Sequence, residues 1–184
     1  MIEVMEKLQT VRFNMQTRIV ITVIFFVVAL IVTAAGVLVL KISVPEAQEE
    51  VDKIEEEFGR FNDPRFIFGN NLIHTLIMFV PFIGPIWGSF VLFNTGTIIA
   101  VLSVAEGVPP ILTFLLFFFV PVFWLEFGVY SIAMAQSVIW FMQMLRHRGR
   151  KEAVRTCILI TVCASILLLS AMVEWIIINI LAKA

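Results

Sequence analysis

The chain has 184 residues, of which 60% are hydrophobic and 15% charged, and its mean hydropathy is +1.01. This composition excludes an ordinary soluble domain and is typical of a polytopic membrane protein. The net charge is only −1, and the charges fall in short stretches between apolar segments, which argues against nucleic-acid binding.

The apolar segments predict five membrane-spanning helices, because a helix needs about 20 residues to cross a hydrocarbon core of about 30 Å. The first segment is too long for a signal-peptide core, so we expect it to be retained. The next apolar stretch is long enough for two crossings and is broken by Pro81, Gly84 and Pro85. The predicted spans are 19–40, 66–80, 82–105, 122–145 and 156–181.

The link after the first span predicts an external amphipathic helix over 44–58. Ser43 and Glu46 fit a capping box, with Pro45 in the first turn and Gly59 as the stop. An apolar stripe runs along an otherwise acidic helix at Val44, Ala47, Val51, Ile54 and Phe58. Such a stripe requires a covering surface. It is either the protein's own external face, a second copy or a partner helix.

Pro121 divides the apolar stretch 111–145, which is too long for one helix and too short for two full crossings. We expect 111–120 to form a re-entrant half-helix that precedes the span 122–145. Such a segment is tolerated at membrane depth where it is buried in protein or lines a cavity.

Basic residues set the predicted orientation. Lys7, Arg12 and Arg18 precede the first span, and the link 146–155 is strongly basic, so both belong in the cytoplasm. The acidic link 41–65 lies on the other side, which requires an odd number of crossings before Arg146. We therefore predict a multi-pass protein of the cell membrane with its N-terminus inside and its C-terminus outside.

Two carboxylates interrupt the late apolar segments. An acid near a helix centre costs about 3 kcal/mol to insert, so Glu126 and Glu174 are expected to face protein, water or a partner rather than lipid. Helix rise brings both to nearly the same height, toward the outer leaflet. Together with Asn70, Asn71 and Asn94 they are expected to form an outward-facing polar site.

Structural roles are the alternative for each of these polar groups. Asn70 and Asn71 could cap a helix, Asn94 and Gln136 could join helices through hydrogen bonds, and the glutamates could be protonated packing residues. His74 is expected to be a packing residue rather than a metal ligand.

The remaining motifs predict packing rather than chemistry. Gly84 and Gly88 form a small-xxx-small pair that allows close helix approach, and Cys157 and Cys163 are expected to pack. No catalytic, metal or cofactor constellation is evident. A Glu-Glu-x-x-x-Arg match beginning at Glu55 falls in the acidic link and is treated as a chance match.

From about residue 66 to 178 the order of these features resembles the stage II sporulation protein M family of membrane proteins. The similar elements are the paired asparagines Asn70-Asn71, the glycine-rich stretch at Gly84 and Gly88, the Asn-Gly turn at Asn94-Thr95-Gly96, the Pro-His-Gly-x-x-Glu segment at Pro121 and Glu126, and the late acidic residue Glu174. Val122 and Phe123 stand where the family often has histidine and glycine.

Sporulating members of that family act with peptidoglycan-degrading partners as a membrane platform. The resemblance therefore implies a non-enzymatic scaffold or assembly protein, expected to self-associate, with a dimer favoured, and to engage proteins at its outer face. The alternative is a small transporter or channel component that binds a cation, proton or small ligand at Glu126 and Glu174. An intramembrane hydrolase is the third hypothesis.

Overall fold

The protein is an assembly of α-helices. A computed structural model describes residues 14–58 and 63–181, with the side chains at 54–58 and 181 outside this description. The helices in these ranges are α1 (Met15–Val39), α2 (Val44–Phe58), α3 (Pro64–Met78), α4 (Ile83–Ala105), α5 (Pro110–Phe117), α6 (Pro121–Leu145) and α7 (Gly149–Leu181). The sequence-based predictions that fall outside the described residues or side chains concern Lys7, Arg12, Ile54, Glu55, Phe58 and Gly59.

Four helices of the described chain, α1, α4, α6 and α7, are long and apolar enough to cross a membrane. The all-α class is therefore confirmed, and the bundle is compatible with a membrane protein. The remaining predicted span, 66–80, corresponds to α3, which has 15 residues and a length of about 22 Å. It is shorter than a full crossing because its helix ends at Met78, ahead of Pro81.

The α3–α4 turn contains the predicted proline break. Pro81 lies between the two helices, and Phe82, which precedes α4, has a φ of 72°. That left-handed backbone conformation is unusual for a residue with a side chain. Gly84 and Pro85 do not belong to the break, because both lie in the first turn of α4.

Glycines let the helices approach closely where α1 crosses α4. A Cβ added to Gly36 would overlap the carbonyl oxygen of Phe93, and one added to Gly96 would overlap that of Thr33. The predicted pair in α4 behaves similarly, since Gly84 and Gly88 are buried against α6. Close helix approach at Gly84 and Gly88 therefore agrees with the small-residue prediction, which named no partner helix and missed Gly36.

The predicted capping box of α2 forms in the half in which Glu46 reaches back to Ser43. Glu46 Oε2 accepts hydrogen bonds from the Ser43 hydroxyl at 2.7 Å and the Ser43 N–H at 3.0 Å. These bonds hold the pKa of the exposed Glu46 carboxyl below its ordinary value. Helix α2 packs on α4 with Ala47 fully buried, and Val44 remains 52% exposed. The protein's own α4 therefore covers part of the predicted stripe.

A short break separates α5 from α6 at residues 118–120. The Trp124 indole N–H donates to the carbonyl of Phe118 at 2.9 Å, which satisfies a backbone oxygen freed by the break. The ring of Trp124 also stacks on Phe26 of α1, with ring centroids 5.8 Å apart. Helix α5 packs against α4 and α1, and its Phe114 ring meets Phe123 of α6 edge to face, with ring centroids 6.3 Å apart. The half-helix thus forms over Pro110–Phe117, and its re-entrant path stays a prediction.

Candidate functional site

A polar cavity of about 570 Å³ opens between α3, α4, α6 and α7. It is lined by all five residues predicted to form a polar site: Asn70, Asn71, Asn94, Glu126 and Glu174. The rest of the wall combines the polar side chains of His74, Thr95 and Tyr130 with apolar ones such as Phe90 and Phe127, and no Lys or Arg is found among the described lining residues. We call this space the carboxylate cavity.

A chain of hydrogen bonds fixes one of the two carboxylates. The Tyr130 hydroxyl donates to Asn71 Oδ1 at 3.1 Å, and Asn71 Nδ2 donates to Glu126 Oε1 at 2.6 Å. The Ser170 hydroxyl reaches the same Glu126 oxygen at 3.5 Å. These contacts join α3, α6 and α7, so the orientation of Glu126 depends on all three helices.

Helical periodicity explains why these groups meet. Residues four apart lie on one helix face, which brings Glu126 and Tyr130 together on α6, and Ser170 and Glu174 together on α7. Because α7 runs antiparallel to α6, these two polar faces meet at the cavity. Glu174 is partly buried there, so both carboxylates line the same partly open cavity.

The asparagines occupy different positions from those expected of caps and turns. Asn70 and Asn71 do not begin α3, because Asp63 caps that helix and Pro64 starts it. The alternative in which Asn70 and Asn71 cap a helix is therefore wrong. Asn94, which the resemblance equates with a turn, lies inside the continuous helix α4 and lines the carboxylate cavity.

His74 is held by an aromatic neighbour. Its Nδ1 accepts a hydrogen bond from the Trp87 indole at 3.3 Å, with the ring centroids 5.9 Å apart. Within the described residues, no group of three or more His, Cys, Asp or Glu side chains is arranged to hold a metal ion. Of the two cysteines, Cys163 is buried as expected for packing, whereas Cys157 is exposed.

Sequence reasoning missed Tyr130 and Ser170. Each lies one helical turn from a predicted site glutamate, and Tyr130 is the only tyrosine of the chain. The spacing of four residues was the available signal. A hydroxyl on the same face as an intramembrane acid is placed to bond to it or to its partners.

A second polar cluster, also missed, joins the starts of α1 and α7. Arg18 forms a bidentate pair with Glu152, with distances of 2.7 and 2.8 Å. Gln136 of α6 donates to Glu152 Oε1 and to Thr156 Oγ1, both at 2.9 Å. The predicted interhelical bonding of Gln136 is therefore confirmed. We call this group the ion-pair cluster.

The carboxylate cavity and the ion-pair cluster both consist of side chains from several helices that meet in space. Comparison with family models, curated proteins and solved structures found no match for this chain. The interpretation of both sites therefore rests on their own geometry.

Proposed function

We propose that the chain is an integral membrane protein that binds a cation, a proton or a small basic ligand in the carboxylate cavity, as a small transporter or channel component. The observation that carries this proposal is that Glu126 and Glu174, on two neighbouring helices, line one cavity. Intramembrane carboxylates that face a cavity are characteristic of ion and proton pathways.

Electrostatics favours a positively charged occupant. Two like charges close together in a low-dielectric space repel, and each carboxylate also loses hydration there. The described lining holds no Lys or Arg, and its one histidine, His74, accepts a hydrogen bond at Nδ1 and is therefore neutral in this geometry, so a bound cation or proton would supply the compensation. The amide oxygens of Asn70 and Asn94, which line the same space, could add neutral oxygen ligands of the kind that hard cations prefer.

The hydrogen bonds around Glu126 support a prepared site. Asn71 is positioned by Tyr130 and in turn donates to one Glu126 oxygen. Orientation by a second layer of hydrogen bonds keeps a binding group in a single geometry. Glu126 would thus be the fixed ligand, while Glu174 on α7 completes the site from the opposite wall.

The proposed membrane topology has five crossings: α1, α3, α4, the broken unit α5–α6, and α7. Short α3 pairs with α4 through the Pro81 turn, and the basic residues around Arg18 and Arg150 support a cytoplasmic location for the starts of α1 and α7. In this arrangement the carboxylate cavity opens toward the outer half of the bundle.

Flux measurements with purified protein in vesicles test the proposal. Glu126→Gln and Glu174→Gln preserve side-chain volume and remove the charge, so each should abolish or strongly reduce uptake of the transported cation or proton. Glu106→Gln is the matched control, because Glu106 is exposed in the α4–α5 loop. If both cavity variants elute as folded protein and retain full flux of Na⁺, K⁺ and H⁺, the transport proposal is wrong.

A second candidate function is a membrane scaffold, in line with the resemblance to the stage II sporulation protein M family. It is favoured by α2, whose docking on α4 leaves Glu49, Glu50 and Asp52 exposed as an acidic surface. This surface would engage a basic partner, and the protein would self-associate, with a dimer favoured. Crosslinking and co-purification from native membranes should then recover complexes. Recovery of monomers alone would contradict the scaffold.

A further inference from the structure

An apolar groove of about 760 Å³ runs between α1, α6 and α7, beside the ion-pair cluster. Its walls include Ile19 and Val23 of α1 and Ile158 of α7, which are 55%, 56% and 60% exposed. Ile19 and Val23 lie about one helical turn apart on α1, and together with Ile158 they line one apolar groove. We call this space the basal groove.

The mouth of the basal groove is positively charged. Lys151 and Arg155 lie one turn apart near the start of α7, line the groove and are exposed. Arg18 also lines it, but its charge is balanced by the bidentate pair with Glu152. The four charged groups therefore leave a net charge of about +2, carried by Lys151 and Arg155.

The order of these groups along the groove matches the order of groups in a phospholipid. Cations stand at the end where α1 and α7 begin, and apolar side chains continue along both helices toward the bundle centre. Acyl chains fill such apolar grooves regardless of headgroup. Selectivity would therefore come from the two cations, since basic pockets between membrane helices recognise anionic headgroups.

We propose that the basal groove is a binding site for an anionic phospholipid, with the headgroup phosphate against Lys151 and Arg155 and one acyl chain along Ile19, Val23 and Ile158. This site is separate from the carboxylate cavity, and the lipid needs no transport activity to bind. Bound lipid would bridge α1 and α7 at the end where the ion-pair cluster joins them.

Native mass spectrometry tests the headgroup part of the proposal. The protein is reconstituted in vesicles of phosphatidylglycerol and phosphatidylcholine with identical acyl chains, and the retained lipids are counted. Removing each cation should weaken phosphatidylglycerol retention about fivefold, so Lys151→Gln with Arg155→Gln should weaken it roughly 25-fold. Retention of phosphatidylcholine should not change.

The matched control is Arg148→Gln with Arg150→Gln, which removes the same charge from the same basic segment at residues that do not line the basal groove. This control should keep the preference for phosphatidylglycerol. An equal loss in both double variants would mean diffuse attraction to the basic segment and would overturn the proposed site.

A bulky substitution tests the acyl-chain part without changing charge. Ile158→Trp, at an exposed position that should tolerate the larger ring, fills the groove and should reduce the retention of both lipids. Undiminished retention of phosphatidylglycerol by this variant would show that no chain occupies the groove, and the proposal would then fail.

Discussion

Replacing Arg18 with glutamine should strongly destabilise the helix bundle, because it removes the guanidinium that pairs with the buried Glu152 carboxylate and leaves only the more distant Arg155 charge. The two side chains are only 12% and 7% exposed, and they share two short charge-assisted hydrogen bonds. Removing one partner of a buried pair costs about 3–5 kcal/mol, because the remaining charge stays desolvated. Gln136 still donates to Glu152, so the lower part of that range is expected.

The exposed ion pairs of α2 provide a matched control. Lys53 contacts Glu49 and Glu50 at 3.0 and 2.9 Å, but its side chain is 57% exposed. Solvent screening limits such pairs to about 0–1 kcal/mol. Lys53→Gln should therefore have little effect, although the contact distances resemble those of the buried pair.

The assay is unfolding in mixed micelles of rising SDS content, followed by circular dichroism. Arg18→Gln should lower the free energy of unfolding by about 3 kcal/mol, and the double variant Arg18→Gln with Glu152→Gln should recover much of this loss, since no buried charge remains. The reasoning is refuted if Arg18→Gln resembles Lys53→Gln, or if the double variant is no more stable than the single one.

Two further predictions concern helix packing and capping. Gly96→Ala should destabilise the bundle by about 1–3 kcal/mol, because the added methyl group overpacks against α1. Gly128→Ala should stabilise its helix by about 0.5–1 kcal/mol, since an added Cβ meets nothing within 4 Å there. Equal stability of the two variants in the same SDS titration would contradict this. The hydroxyl and N–H of Ser43 lower the pKa of Glu46, so the stabilisation of α2 by this cap is complete above the unfolded-state pKa and is lost as the pH falls through the lower folded-state pKa. A spin label at Asp52 should therefore become more mobile in acid, and Glu46→Ala should remove that pH dependence.

Hydropathy, proline positions and capping signals predicted most of the helices. Continuous apolar runs defined the long helices, and Ser43 with Glu46 predicted the start of α2. The Asp63-Pro64 signal at the start of α3 was missed, and it rules out the alternative in which Asn70 and Asn71 cap that helix. An aspartate side chain caps the first turn of a helix, and a proline in the first helical position has no N–H that needs a partner, so a helix starts readily at this pair.

The carboxylate cavity could be predicted because a carboxylate in an apolar helix is tolerated only where it faces protein, water or a cavity. Rise per residue then gave the relative heights of Glu126 and Glu174 without any tertiary information. The ion-pair cluster was not predicted, because Arg18 and Glu152 lie in charged segments at helix starts, where ionised side chains are ordinarily solvated. Their pairing depends on how α1 and α7 approach, which single-helix patterns do not contain.

The glycine contact between α1 and α4 has a consequence for how the chain can vary. Helix α1 buries little of its apolar surface and by composition resembles a generic membrane anchor. Gly36 and Gly96, however, each occupy space next to the other helix's backbone. The residues at these two positions can therefore change only together. A membrane helix of equal hydropathy from another protein could not replace α1 without displacing α4, which forms part of the wall of the carboxylate cavity.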